Sequence, residues 1–169
     1  AVATGAIYAQ TLGFDFVNFD DDAYVYANPR IREGLSVANV GFAFVGNHAN
    51  LWHPLTTLSH LVDVECFGLW AGGHHATSAV LHIAAAVALF LALRSLTGDD
   101  WPSGLAAALF ALHPLRVESV AWISERKDVL SGLLFACLLG AYARYARRPS
   151  RAGYLGVVGL FALGCLAKP

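Results

Sequence analysis

Long apolar runs alternate with short polar turns in the second half of the chain. The run at 76–93 holds no Asp, Glu, Lys or Arg, and about 20 apolar residues are what an α-helix needs to cross the hydrocarbon core of a bilayer. Three further runs follow, and another apolar stretch begins the chain. The pattern predicts the end of a first span and four later spans, at 1–14, 76–96, 101–115, 128–146 and 152–168.

The segment 15–75 is more polar and precedes the second span. In its stretches 31–46 and 54–70 the apolar residues recur at spacings of three and four, which is typical of helices that lie along a membrane surface. The predicted fold class is therefore an all-α integral membrane protein. It is a multi-span helical bundle with a long external first loop that carries interfacial helices.

The composition of the chain favours a lipid environment. Hydrophobic residues make up 57% of the 169 residues and charged residues only 14%, whereas soluble domains carry about 25% charged residues. The net charge of −1 leaves no basic stripe for phosphates, so nucleic acid is excluded as a partner. Membrane lipid is the expected surrounding of the chain.

Basic residues set the expected orientation. Four arginines lie within 144–151, between the last two apolar runs, and short loops rich in Lys and Arg stay on the cytoplasmic side. Alternation of the spans then places the segment 15–75, the connector 113–130 and Lys168 on the opposite face. The polar residues that could carry chemistry are thus expected together on the non-cytoplasmic face.

Three adjacent carboxylates, Asp20, Asp21 and Asp22, follow the first predicted span directly. One interpretation is a solvated turn that ends a helix. The other is a general base with a charged neighbour, because adjacent carboxylates and partial burial both favour the protonated form. On the topology above, a base at Asp20 or Asp21 is the stronger interpretation, and Asp22 is expected in a solvated turn.

The connector 113–130 carries a second polar cluster. Arg116, Arg126 and Lys127 are cations on the face where basic residues are depleted. An amphipathic interfacial helix with internal ion pairs is one interpretation, and a substrate path is the other, since ionisable residues near membrane depth often line one. A guanidinium beside an ammonium suits a phosphate or diphosphate. Lys168 adds a cation or simply extends to the interface.

Histidines invite the hypothesis of a metal site. His74, His75 and His82 share one predicted helix, but no HExxH motif or Cys–His spacing is present. Packing or hydrogen bonding at the outer end of a span is the favoured interpretation. No cofactor is predicted, and a divalent metal stays possible without a motif that supports it.

Several blocks resemble a known family. "FDDDAYVYANP", "WHPLTTLSH", "GGHHATSAVLH", "HPLRVESVAWISERKD" and "CLAKP" occur in that order. They are similar to blocks of the transmembrane and TPR-containing O-mannosyltransferases, which are GT-C-type glycosyltransferases with bacterial relatives. The resemblance identifies the chain as a partial membrane domain, 1–169, of such a protein, with the tetratricopeptide repeats downstream of it.

The resemblance implies an activity and a location. A hexose, mannose or another, would pass with inversion from a polyprenyl-phosphate donor to a Ser or Thr hydroxyl of an acceptor protein. The protein would be a multi-pass component of the bacterial inner membrane whose active site faces the periplasm or exterior. One departure concerns the donor: where eukaryotic members tend to have Arg-Pro, this chain has His53-Pro54.

The resemblance and the residues together give a set of expected site residues. Asp20 and Asp21 are the candidates for the base, and the choice between them stays open. The remaining positions divide into cations for the donor phosphate, Arg126, Lys127 and Lys168, and supporting residues, His53, His113, Glu118 and Asp128. A transporter or lipid flippase is an alternative, as is a non-catalytic membrane anchor for an external repeat domain. A transporter needs charges near the bilayer midplane, but here they cluster at the outer boundary.

Overall fold

The computed structural model describes residues 1–48 and 51–168, and these residues are helical almost throughout. The α-helices in chain order are α1 Val2–Tyr8, α2 Pro29–Arg32, α3 Val37–Val45, α4 Pro54–Phe67, α5 Ala71–Thr97, α6 Asp100–Leu112, α7 Arg116–Ala121, α8 Arg126–Arg147 and α9 Arg151–Ala167. Short 3₁₀-helices cover Ala9–Gly13 and Ile123–Glu125, and a π-helix covers Asp22–Tyr26. Within the described part of the chain the only β-type pairing is an isolated bridge from His48 to Leu51. The all-α prediction is confirmed.

Helices α5, α6, α8 and α9 occupy the four predicted later spans. Among residues 1–48 and 51–168, two segments are long and apolar enough to cross a membrane: Ala71–Thr97, with a mean hydropathy of 2.2, and Ile123–Arg147, with 1.5. Helix α9 is apolar but shorter, with 17 residues. The multi-span bundle and its membrane orientation therefore stay predictions.

Helix α6 is short because the chain turns at a proline. Its 13 residues extend over roughly 20 Å, and the residue after its end, His113, adopts extended backbone angles. The residue before a proline avoids the helical conformation, and Pro114 follows directly. The polar connector that begins there, residues 113–125, leads to α8, which therefore begins at the end of the bundle where α6 ends.

Small residues hold the long helices close together. Helix α5 packs along α8 and α6, and α8 packs along α9. At the α5–α8 contact, Ala92 is buried and lies against Gly140. Small side chains allow the backbones of apolar helices to approach closely when lipid supplies no hydrophobic driving force between them.

Helix α4 packs onto one end of this bundle with a polar face inward. Its spacing of apolar residues predicts a helix, which the structure contains, but Thr56, Thr57, His60 and Asp63 are all buried. Buried polar groups need partners, and the hydroxyl of Thr56 donates to the carbonyl of Ala167 at 2.9 Å. Such contacts position α4 against the ends of α5, α8 and α9.

Candidate functional site

The loop that carries Asp20, Asp21 and Asp22, here called the acidic loop, is hydrogen-bonded to the residues just before α8. Asp21 is fully buried, at 0% exposure. Its Oδ2 accepts from the backbone N–H of Val17 at 2.9 Å, and its Oδ1 accepts from the backbone N–H of Ser124 at 3.0 Å and from the Ser124 hydroxyl. The indole N–H of Trp122 donates to the Phe19 carbonyl at 3.2 Å. Residues about 100 positions apart are thereby joined at one end of the bundle.

The three adjacent acids lie in different environments. Asp20 is exposed, and its φ of 66° is in the left-handed region, which a non-glycine residue rarely adopts and which costs roughly 1 kcal/mol or more. Among the described residues its side chain has no hydrogen-bond or ion-pair partner, while its carbonyl accepts from the Tyr24 N–H at 2.8 Å. Asp22 is half-buried and begins the π-helix. Asp20 is therefore the accessible carboxylate and Asp21 the fixed one.

Arg126 lies inside the protein, at 0% exposure. Its Nη2 donates to Oδ2 of Asp63 at 2.7 Å and to the carbonyl of His74 at 2.7 Å, and its Nε donates to the hydroxyl of Ser78 at 2.9 Å. Nη1 has no partner among the described residues. Arg126 thus joins α8 to α4 through a buried ion pair and to α5 through hydrogen bonds.

Lys127 is also engaged by neighbouring groups. Its ammonium lies 2.7 Å from Oε1 of Glu125 and donates to the carbonyl of Ser124 at 3.0 Å. It also lies 5.1 Å from the centre of the Tyr24 ring, a cation–π arrangement. Its charge is therefore balanced locally, beside the acidic loop.

Lys168 directly follows α9 and lies at the same end of the bundle. Its ammonium is ion-paired with Oδ1 of Asp128, in the first turn of α8. Oδ2 of Asp128 accepts from the Ser119 hydroxyl at 3.4 Å. Of the predicted site residues, Lys168 and Asp128 are thus in direct contact, and Lys168 stays exposed.

An apolar groove of about 600 Å³ runs between α8 and α9 from this ion pair. Its polar lining comes from Arg116, Asp128, Ser131 and Lys168, and its apolar lining includes Phe135, Leu160 and Phe161. The guanidinium of Arg116 lies 4.4 Å from the centre of the Phe110 ring, and among the described residues no carboxylate is within ion-pair distance of it. Because Arg116 begins α7, Asp128 is in the first turn of α8 and Lys168 follows α9, the charges cluster at one end.

His53 belongs to a buried cluster around Tyr24. His53 Nε2 lies 3.2 Å from the Tyr24 hydroxyl, and His48 Nε2 lies 3.0 Å from the Tyr24 carbonyl. Burial lowers the pKa of His48 to about 4, with a smaller contribution from the charge of His53, and burial also lowers the pKa of His53. Both imidazoles are neutral at pH 7, so this cluster offers hydrogen bonds but no positive charge.

Tyr24 lies near several predicted site residues. Burial, together with the smaller effects of the Glu125 and Asp20 carboxylates and against the Lys168 ammonium, raises the pKa of its hydroxyl to about 12. Groups that perturb one hydroxyl in this way lie within the reach of its Coulomb field. The charges of Asp20, Glu125 and Lys168 therefore all act on one buried tyrosine.

Two predicted supporting residues stand apart from the acidic loop. His113 is exposed in the turn after α6, where its Nδ1 accepts from the Leu115 N–H at 3.3 Å. Glu118 is exposed in the first turn of α7. Neither side chain contacts Asp20 or Asp21 in the described structure, so the structure assigns them no shared role.

A different trio has the geometry of metal ligands. One ligand atom each of His60, Asp63 and His74 lies within 4.8 Å of the others. In the described part of the chain both ring nitrogens of His60 lack hydrogen-bond partners, and burial lowers the pKa of His60 well below its usual value. The Arg126 guanidinium, however, already bonds the Asp63 carboxylate and balances its charge, so the trio offers no net negative charge to a divalent cation.

Sequence patterns give little sign of this network. His60 and Asp63 are three residues apart in an apolar helix, which is the only local signal that they share a buried face. Ser124, which holds Asp21, lies in a motif without any catalytic signature. Their partners are too distant in the chain for spacing to find them.

No protein-family model and no solved structure matches this chain. Among curated proteins, the protein O-mannosyl-transferase Tmtc1 of Drosophila melanogaster is 33% identical over 149 residues, which is 83% of this chain and 17% of that protein. The protein O-mannosyl-transferase Tmtc2 of the same organism is 30% identical over 150 residues, again 83% of this chain and 16% of that protein. Human TMTC2, with the same description, is 30% identical over 83% of this chain and 18% of its own length. The chain is thus similar, over most of its length, to a part of several protein O-mannosyltransferases, and it spans less than a fifth of each.

Proposed function

We propose that this chain forms part of a glycosyltransferase that moves a hexose from a polyprenyl-phosphate donor to a Ser or Thr hydroxyl of a protein. The reaction takes place on the non-cytoplasmic face of a membrane and inverts the anomeric centre. The relatives named as protein O-mannosyltransferases support glycosyl transfer to protein. The observation that carries the choice of donor is the apolar groove between α8 and α9 with cations at one end.

The groove suits both the apolar chain and the phosphate of a lipid phosphate. An isoprenoid chain is apolar and fits a lining of leucine, phenylalanine, alanine and glycine, and a phosphate needs cationic donors at the mouth. Arg116 and Lys168 supply these donors. Lys168 is paired with Asp128 but is exposed and lines the groove. Arg126 and Lys127, which are also predicted from the sequence to bind the phosphate, are each paired with a carboxylate and do not line it. In this proposal they hold the end of the groove in shape.

Asp20 is the proposed base. The acceptor oxygen attacks the anomeric carbon, its proton passes to the carboxylate, and the bond from sugar to phosphate breaks with its electron pair going to the lipid phosphate. Asp20 is exposed, and its carboxylate has no partner among the residues that the structure describes, whereas both oxygens of Asp21 already accept hydrogen bonds. The left-handed backbone of Asp20 is the kind of strain that functional sites retain. Cations at the departing phosphate stabilise the charge that develops there.

The test is transfer by the full-length protein in membranes, with a polyprenyl-phosphate hexose as donor and a Ser/Thr-rich peptide as acceptor. Asp20→Asn should lower kcat by about 100-fold or more, as loss of a general base does, with the KM for the donor little changed. Asp22→Asn is the matched control and should retain the parental rate. Transfer by Asp20→Asn at the parental rate would refute the assignment of the base.

A further inference from the structure

The turn between α8 and α9 is the most basic part of the chain. Arg144, Arg147, Arg148 and Arg151 fall within eight residues and include four of the eleven Lys and Arg residues in the sequence. They lie at the opposite end of α8 from the acidic loop, because α8 begins at Arg126 and ends at Arg147. This turn has no part in the proposed transfer reaction.

A cavity of about 620 Å³ opens between the end of α8 and the beginning of α9. Three of the four arginines line it, together with Ser150, and its other lining residues are Ala141, Tyr145, Gly153 and Gly156. That volume is within the range of about 300–1,000 Å³ in which proteins hold small ligands. Gly156 lines the cavity, and a Cβ at that position would stand in open space, with no heavy atom within 4 Å.

The arginines of the cavity are free to bind an anion. Among the described residues no carboxylate is within ion-pair distance of Arg144, Arg147 or Arg148. Arg147 donates from Nη1 to the hydroxyl of Ser95 at 3.4 Å, a long contact that balances no charge. Three uncompensated guanidinium groups around one cavity form a positive pocket, and the planar guanidinium matches phosphate oxygens in pairs.

The position of the cavity indicates where the anion comes from. The apolar segment Ile123–Arg147 is long enough to cross a membrane and ends at this turn. In the predicted topology this places the pocket at headgroup level. Tyr145 and Tyr154 pack with ring centres 6.2 Å apart beside it, and tyrosines concentrate at that depth of a membrane. Basic pockets between membrane helices on the cytoplasmic side bind acidic lipid headgroups.

We propose that the cavity lined by Arg144, Arg147 and Arg148 binds the phosphate headgroup of an anionic phospholipid. The inference is independent of the proposed transfer reaction. It also goes beyond the role of these arginines as an orientation signal, because an orientation signal depends on the number of charges in the loop. A binding pocket depends on which arginines face the cavity.

Arg151 provides the matched control, because it is in the same turn, is exposed and does not line the cavity. Full-length protein in detergent is titrated with phosphatidylglycerol, and bound lipid is counted by native mass spectrometry. Arg144→Gln and Arg148→Gln should each weaken binding by roughly fivefold, the size expected for one basic group near an acidic lipid, and Arg151→Gln by less than about twofold. Gly156→Leu fills the cavity without changing the charge and should weaken binding as much as the arginine changes.

Three results would overturn the proposal. Equal losses for Arg151→Gln and Arg148→Gln would mean that only the charge of the loop matters. Equal affinity for phosphatidylcholine would remove the requirement for an anionic headgroup. Displacement of phosphatidylglycerol by inorganic phosphate at the same concentration would assign the pocket to free phosphate and not to a lipid.

Discussion

Asp63→Asn tests whether the buried ion pair holds the site end of the bundle together. Asp63 and Arg126 are 2.7 Å apart, and their side chains are 3% and 0% exposed. Removing one charge from such a pair leaves the other buried and uncompensated, which costs about 3–5 kcal/mol. Arg126 also contacts α5 through Ser78 and the carbonyl of His74, so the loss should loosen three helices at once.

The measurement is thermal unfolding of the full-length protein in detergent, followed by tryptophan fluorescence. At about 2–4 °C per kcal/mol for a domain of this size, Asp63→Asn should lower the midpoint by roughly 6 °C or more. Glu125→Gln is the control: the Lys127 side chain reaches solvent and keeps its hydrogen bond to the Ser124 carbonyl, so this change should cost less than Asp63→Asn. Replacing both members of the buried pair, Asp63→Leu with Arg126→Met, should recover most of the loss. Equal midpoints for Asp63→Asn and Glu125→Gln would refute the reasoning.

Three further predictions follow from other contacts. Asp21→Ala leaves the amide groups of Val17 and Ser124 unpaired and should lower the free energy of unfolding by about 2–4 kcal/mol. It should also make the acidic loop sensitive to limited proteolysis, and protection as in the parent would contradict the anchoring role. His48 has its pKa lowered to about 4 in the folded state, so the unfolded chain takes up a proton below about pH 6.5 before the folded one does. The free energy of unfolding should therefore fall by up to about 1.4 kcal/mol for each pH unit as the pH is lowered from 6.5 to 4. His48→Gln should flatten that slope in melting curves taken across this interval, and an unchanged slope would contradict the burial of a neutral imidazole. Lys168→Ala should raise the KM for the lipid donor roughly tenfold with a smaller effect on kcat, and an unchanged KM would remove Lys168 from phosphate binding.

The helices could be predicted from the sequence because their signal is local. Apolar runs of the right length placed α5, α8 and α9 to within a few residues, and Pro114 explains why α6 is short. The inward face of α4 could not be predicted in the same way. Its spacing is that of an amphipathic helix, but the face that packs on the bundle carries His60 and Asp63.

The site could be predicted only as a set of residues. The acidic triplet, Lys168 and the charged connector were visible as polar residues in an apolar chain. Their contacts depend on tertiary structure, since Asp21 meets Ser124 and Arg126 meets Asp63 across long separations. The sequence therefore predicts the cations that could bind a phosphate, but not the carboxylates that pair with Arg126 and Lys127.

The most direct test of the account is whether the groove between α8 and α9 holds the lipid donor. Gly164 lines the groove and Gly159 does not, although both are in α9 and both have open space where a Cβ would stand. The full-length protein carrying Gly164→Leu or Gly159→Leu is assayed for hexose transfer from a long-chain polyprenyl-phosphate donor. Gly164→Leu should raise the KM for the donor about tenfold or more, as filling an apolar pocket does, while Gly159→Leu should behave as the parent. Equal KM values for the two variants would contradict donor binding in the groove.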